Sequence, residues 1–233
     1  EYLVLIEILL AKKHTINYVL NKYIFNSRQA IKDNSHPESK DGQQGFTIIN
    51  DKILDMMHRH VDGAWTRALI RKMREKVPGI VLRTTMIVGH PGEGVAEFNE
   101  LLDFVKEAKF ERLGAFTYSE EEGTFDAENF KDNVPARSKQ SRLKRLMSLQ
   151  SGISLAFNKS RVGSETRVII DDFNDGVFVC RSEFESPEVD GEILVHYDAD
   201  KMKAAPEDMV GGFINVRITQ ADEYDLVGEY IDR

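Results

Sequence analysis

Hydrophobic and polar positions follow two different rhythms along this chain, and the change comes near Gly163. Before it, apolar residues recur at helical spacing; after it they come in short runs parted by glycine turns. Asn50 or Asp51 can cap a helix carrying Ile53, Leu54, Met56 and Met57. The next helix runs from Gly63 to Val77, with Trp65, Leu69, Met73 and Val77 at four-residue spacing, and Pro78-Gly79 stops it. Ile80-Val81-Leu82 leads into Arg83-Thr84-Thr85-Met86-Ile87-Val88, a strand whose β-branched residues fill both faces. Such a strand is expected to be covered on both sides, in a parallel sheet. Phe98, Leu101, Leu102 and Val105 mark a third helix, and Arg112 to Tyr118 the next strand, through Leu113, Ala115, Phe116 and Tyr118. Helix, strand, turn, helix and strand at this pitch predict an α/β unit, part of a barrel or an open parallel sheet. Arg137 to Arg161 closes the first part as a long helix, with Leu143, Leu146, Met147, Gln150, Ile153 and Phe157 at its 3.6 period.

The later rhythm is all β. Val168-Ile169-Ile170, Val177-Phe178-Val179, Ile193-Leu194-Val195, Ile214-Val216-Ile218 and a last strand through Leu226, Gly228 and Tyr230 are the strands. Asn174-Asp175-Gly176, Asp190-Gly191 and Gly211-Gly212 are the turns. About five short strands in seventy residues is the size of a small closed barrel of the oligonucleotide/oligosaccharide-binding (OB) kind. The expected division is therefore an unassigned segment and linker over 1–48, an α/β part over 49–163 and a small barrel over 164–233. In the first segment, Tyr2 to Leu10 is too short to span a bilayer and lacks the order of a secretory signal. It reads as a short buried element. Asn17 to Lys32 reads as a helix, and residues 33–45 as a mobile linker with almost nothing to bury. The first residue is Glu1, which fits a piece of a longer chain.

Charge sharpens the division. From Ser164 to Arg233 there are 18 acidic and 6 basic side chains, a net of −12, which leaves +4 for the rest of a chain whose net charge is −8. A barrel that binds nucleic acid needs a positive groove, because phosphate neutralisation supplies most of the affinity. This barrel carries the reverse, so it should repel RNA and attract a basic protein. The alternative is that the charge only keeps the domain soluble. Glu183, Glu185, Glu188, Asp190 and Glu192 crowd around Pro187 and form the expected partner-facing, substrate-docking loop. The first half of the long helix carries Arg137, Lys139, Arg142, Lys144 and Arg145, a basic outer face that could meet nucleic acid but in most helices is simply solvated.

Candidate chemistry is sparse. Gly89-His90-Pro91-Gly92-Glu93 turns the first strand into a helix, and a helix start at the carboxyl end of a strand is where α/β folds place ligands. The same pattern also serves as plain structural punctuation. His58 and His60 are two apart, so on a helix they face different ways and cannot hold one ion. Glu120-Glu121-Glu122 could take a metal or a cationic group, or be a solvated loop. A single cysteine, Cys180, excludes disulfides and any metal or iron–sulfur site built from this chain's own thiolates, and fits a cytoplasmic compartment. No metal-binding set is expected.

Over Asn50 to Ile231 the chain resembles the carboxyl-terminal part of the radical-SAM methylthiotransferases. The carrying residues are Arg83 to Glu93, then Arg112-Leu113-Gly114-Ala115-Phe116-Thr117-Tyr118-Ser119 with Glu121 to Thr124. In the barrel, Glu185-Ser186-Pro187-Glu188-Val189-Asp190-Gly191 and Tyr224-Asp225-Leu226-Val227-Gly228 complete the set. The nearest branch is the RimO type, which methylthiolates an aspartate of small-subunit ribosomal protein twelve. The resemblance implies part of a radical-SAM, TIM-like barrel followed by a TRAM domain that receives the substrate. It implies S-adenosylmethionine and [4Fe–4S] clusters as cofactors. Thr85, Ile87 and Gly89 would line the adenosine side, with Pro91, Gly92 and Glu93 shaping the rim. The family's C-x-x-x-C-x-x-C run and its three further cysteines have no counterpart here. Thr47-Ile48 stands where Gln-His is expected, and Gly94 where threonine usually follows Pro-Gly-Glu. The expectation is a partial ribosomal-protein methylthiotransferase, inactive alone, with a basic ribosomal protein as partner and no membrane. The alternatives are a tRNA methylthiotransferase and a non-catalytic acidic docking module.

Overall fold

A computed structural model describes residues 48–57, 62–187 and 189–232. The expectations for residues 1–47, for His58 and His60, and for Glu188 lie outside them. The chain divides into two compact units: residues up to Ala108 with Leu113–Leu143, and Lys109–Arg112 with Lys144–Arg233.

In the first unit, helix α1 (Asp51–Met56) starts where the Asn50 side chain accepts from the Ile53 N–H, and α2 (Gly63–Lys76) where Asp62 accepts from Trp65. The buried seam of α2 is Gly63, Thr66 and Ile70. Trp65 is 45% exposed. The stripe expected from Trp65 is thus rotated by one position, because small Gly63 and Thr66 permit close packing that hydrophobic periodicity does not register. Strand β1 (Arg83–Val88) buries Thr84, Met86 and Val88, while Arg83, Thr85 and Ile87 are half-buried. Only one of its faces is closed among the described residues, which corrects the expectation of cover on both sides. Helix α3 (Val95–Ala108) buries Phe98, Leu101, Leu102, Phe104 and Val105, as its periodicity predicts. Full burial of side chains of this size contributes ~1.5–3 kcal/mol each.

Strand β2 (Arg112–Thr117) pairs with β1 in a two-stranded sheet. The Tyr118 N–H donates to the Val88 carbonyl at 2.8 Å, so both strands end at one edge, as in a parallel pair joined through a helix. A short helix α4 (Phe125–Asn129), capped by Thr124, follows.

Helix α5 (Ala136–Arg161) carries the largest departure from its sequence pattern. Its buried residues are Lys139, Leu146, Gln150, Ser154, Asn158 and Arg161, all polar but one. Leu143, Met147, Ile153 and Phe157 are only half-buried. The polar seam is stable because its groups find partners: Lys139 Nζ donates to the Tyr118 carbonyl, Gln150 to that of Phe110, and Asn158 to that of Asp222. Lys139 and Arg142, expected on the solvated face, turn inward instead.

The second unit contains a closed barrel of β3 (Glu165–Asn174), β4 (Val177–Arg181), β5 (Ile193–His196), β6 (Phe213–Ala221) and β7 (Leu226–Tyr230), in the order β3-β4-β5-β7-β6. β5 and β7 run parallel and the other neighbours antiparallel. A short helix α6 (Pro206–Met209) precedes β6. Val168, Ile170, Phe178, Cys180, Ile193, Val195, Val216, Ile218 and Leu226 fill the interior. The expected small β barrel is present, its strands alternating inward and outward as closure requires.

Candidate functional site

The turn after β1 is built by its own carboxylates. Gly89, at φ +80, donates its N–H to Glu93 Oε1 at 2.8 Å. Arg142 Nη1 donates to the same oxygen at 2.7 Å and to the Glu93 carbonyl at 3.0 Å. Burial pushes the Glu93 carboxyl above its ordinary value, against the pull of Gly89 and Arg142. The N–H of Gly94 donates to Glu97 Oε2 at 2.9 Å, and backbone hydrogen bonds from Glu97 and Gly94 hold that carboxyl below its ordinary value. The N–H groups of Gly89 and Gly94, around the start of α3, are therefore occupied by Glu93 and Glu97. His90 is fully buried: its Nδ1 meets the Pro91 carbonyl at 2.7 Å, and its Nε2 faces Asp126 at 3.4 Å. Its ring packs edge-on against Tyr118 at 5.0 Å.

Beside this turn lies the open face of the sheet. Thr85 and Ile87 project from it, and the alternation along β2 puts Gly114 and Phe116 on the same side. Phe116 is 64% exposed. The sequence reading placed it in the strand without assigning it a face. The signal available was the Gly114 spacing, which leaves that face of β2 without bulk. The remaining acidic loop, Glu120 to Glu122, is exposed and leads into the Thr124 cap.

The expected docking loop separates into two parts. Glu183 and Glu192 are exposed and Asp190 half-buried. Asp190 accepts from the Ser186 N–H at 2.7 Å, which closes the loop on itself. Glu185 corrects the expectation, because it points inward and is only 6% exposed. Its Oε1 receives Arg112 Nη2 at 3.0 Å and Arg161 Nη1, and its Oε2 receives the Ser182 N–H at 3.0 Å. Burial alone would raise this carboxyl, but Arg161 and Ser182 outweigh it and hold it below its ordinary value. Phe157 lies under both guanidiniums, at 5.4 Å from Arg112 and 5.7 Å from Arg161. Sequence reading missed Arg112, at the start of β2, and Asn158 and Arg161 on α5, since polar residues carry no burial signal in a hydrophobic pattern.

The residues do not fit an iron–sulfur cluster. The one thiol, Cys180, is 1% exposed inside the barrel, and burial pushes it up to about 12. A cluster needs several thiolates, and this group holds its proton. Thr85 and Ile87, half-buried, and exposed Phe116 are the residues on this open face that could meet a ligand. Among the described residues no helix is long and apolar enough to cross a membrane.

The TRAM domain family matches residues 162–231. The chain is similar to the ribosomal protein uS12 methylthiotransferase RimO of Bacteroides fragilis, 47% identical over 183 residues, which are 78% of this chain and 41% of that protein. It is similar to the same enzyme of Phocaeicola vulgatus, 47% identical over 178 residues (76% and 40%). The corresponding protein of Porphyromonas gingivalis is 45% identical over 184 residues (79% and 41%). The chain thus spans about two-fifths of the length of these curated relatives.

Proposed function

We propose that this chain, which belongs over 183 of its residues with the RimO-type uS12 methylthiotransferases and ends in a TRAM domain, serves ribosomal-protein methylthiolation by docking the substrate on its acidic barrel. The observation that carries the reading is the net charge of −12 between Ser164 and Arg233, with exposed Glu183 and Glu192 in the β4–β5 loop. A basic ribosomal protein gains from that field, whereas the phosphates of tRNA are repelled. The names of the relatives, which specify uS12, support the same direction.

For the α/β part, the reading is one segment of a radical-SAM barrel whose inner face is the open side of β1 and β2. Thr85, Ile87 and Phe116 would hold the adenosine of S-adenosylmethionine there, and the Gly89–Glu93 turn would limit access to it. When bound, that group supplies the carbon radical of this reaction class. The chain's own residues orient and shield. Glu93 and Arg142 fix the turn, and buried His90 with Tyr118 backs it. No step through an iron–sulfur cluster is assigned to these residues, because Cys180 cannot serve one. Taken alone the chain is a docking and nucleoside-facing portion of the activity rather than the whole of it.

The test is capture by the full chain of purified uS12 against a tRNA of equal concentration. Retention of uS12 that weakens with salt, and no retention of tRNA, is expected. A variant with Glu183, Asp190 and Glu192 all changed to lysine should lose uS12. Preferential tRNA capture would overturn the reading in favour of the tRNA branch.

A further inference from the structure

The β4–β5 loop and the β6–β7 turn meet at one pole of the barrel, and a buried relay joins them from beneath. The β6–β7 turn, Asp222 to Asp225, is exposed and holds three carboxylates and Tyr224, which is 48% exposed. Its backbone carbonyls face inward. Asn158 Nδ2 donates to the carbonyls of Asp222 at 2.9 Å and Tyr224 at 3.1 Å. The other end of the same amide, Oδ1, receives Arg112 Nη1 at 3.4 Å. Arg112 Nη2 in turn donates to Glu185, which binds Ser182 and so fixes the root of the β4–β5 loop. Above the relay the two loops touch directly. Glu192 donates its N–H to Asp225 Oδ1 at 2.9 Å, and Leu226 donates to the Glu192 carbonyl at 2.8 Å.

Electrostatics gives this relay a purpose. Exposed carboxylates of both loops are held close together, where they repel one another. The relay contains two guanidiniums, Arg112 and Arg161, against one carboxylate, Glu185. These buried guanidiniums lie under the acidic pole, where their positive charge offsets part of the repulsion among its carboxylates before any substrate arrives. Asn158 is uncharged and fully buried, so it touches no partner. It has both a donor and an acceptor, and it spends each on a different side of the pole.

We infer that Asn158 and Glu185 are positioning residues for docking: through Arg112 they hold the β4–β5 loop and the β6–β7 turn as one preformed surface for a basic polypeptide. This rests on the docking reading above. A preformed surface avoids the ordering cost that two loose loops would meet on binding.

The decisive variant is Asn158→Asp in the full chain. It keeps the oxygen that receives Arg112 and loses the N–H groups that hold the β6–β7 turn. Glu185→Gln weakens the other arm, and Lys159→Ala, on the exposed side of α5, is the control. Three readouts are taken on folded protein with uS12 as the probe: dissociation constant, its salt dependence, and amide exchange at Glu192 and Leu226. Roughly fivefold weaker binding with a shallower salt dependence is expected in both variants, with faster exchange at the two amides and no change in the control. A role confined to stability would leave the salt dependence of the folded variant unaltered. Should Asn158→Asp speed exchange yet bind uS12 within twofold of the unaltered chain, the positioning role is overturned while docking stands. Unchanged exchange and unchanged binding would overturn it too. Failure of the unaltered chain to bind uS12 overturns the docking reading, and the positioning role with it.

Discussion

The stem of Lys139 lies against Gly89 so closely that a Cβ at Gly89 would fall 2.5 Å from Lys139 Cγ. Lys139 cannot easily give way, because its ammonium is held by the Tyr118 carbonyl at 2.8 Å and by Asp132. Gly89 also sits at φ +80. Gly89→Ala therefore meets a strained backbone and an occupied space together. A loss of about 2–4 kcal/mol is expected, read as a lower denaturant midpoint at unchanged slope.

Two buried carboxylates should respond to pH in opposite directions. Glu185 is held below its ordinary value of 4.5. Its contribution is present above 4.5 and fades as pH falls through the lower folded value. Glu185→Gln should cost about 3–5 kcal/mol near neutrality, the scale for breaking one side of a buried pair, and much less in acid. Glu93 is raised above the same 4.5, so its contribution is full below that value and is lost as pH rises through its folded value. In Glu93→Gln that falling component disappears, and stability should climb more steeply with pH just above 4.5. Urea titrations at several pH values check both; equal pH profiles for the two variants would contradict the assignment.

Cys180 should behave as a core residue. With its thiol pushed up to about 12 and its side chain inside the barrel, labelling by a soluble thiol reagent at pH 8 should be negligible in the folded chain. One equivalent should react in denaturant. Anaerobic reconstitution with iron and sulfide should leave well under one cluster per chain after desalting.

Gly191 should tolerate no side chain. A Cβ there would lie 2.0 Å from the Tyr224 carbonyl oxygen, which is backbone and cannot rotate away. Gly191→Ala must push the β4–β5 loop off the β6–β7 turn, at a cost of roughly 1–3 kcal/mol. The Leu226 amide, which donates to Glu192, should exchange faster in that variant, and uS12 capture should weaken with it.

Much of the fold could be read from residue order. Phe98, Leu101, Leu102 and Val105 repeat at helical spacing and are buried as that spacing requires. The five barrel strands stand where short apolar runs and glycine turns put them, since alternation leaves a strand one choice of inner face. The polar seam of α5 was not legible. Lys139, Ser154, Asn158 and Arg161 look like a wet surface until Tyr118, Arg112, the Asp222 carbonyl and Glu185 are brought to them.

The sequence by itself determined the α/β-then-β order, the acidity of the last seventy residues and the poverty in thiols, because each of these is local or additive along the chain. Only the tertiary structure decided which carboxylates are displayed and which are consumed. Glu183 and Glu192 face solvent while Glu185, two residues from one of them, is enclosed by two arginines from α5 and the start of β2. The physical reason is that a charge is buried only when partners distant in sequence arrive to replace its water, and nothing in the local order of residues states who will arrive.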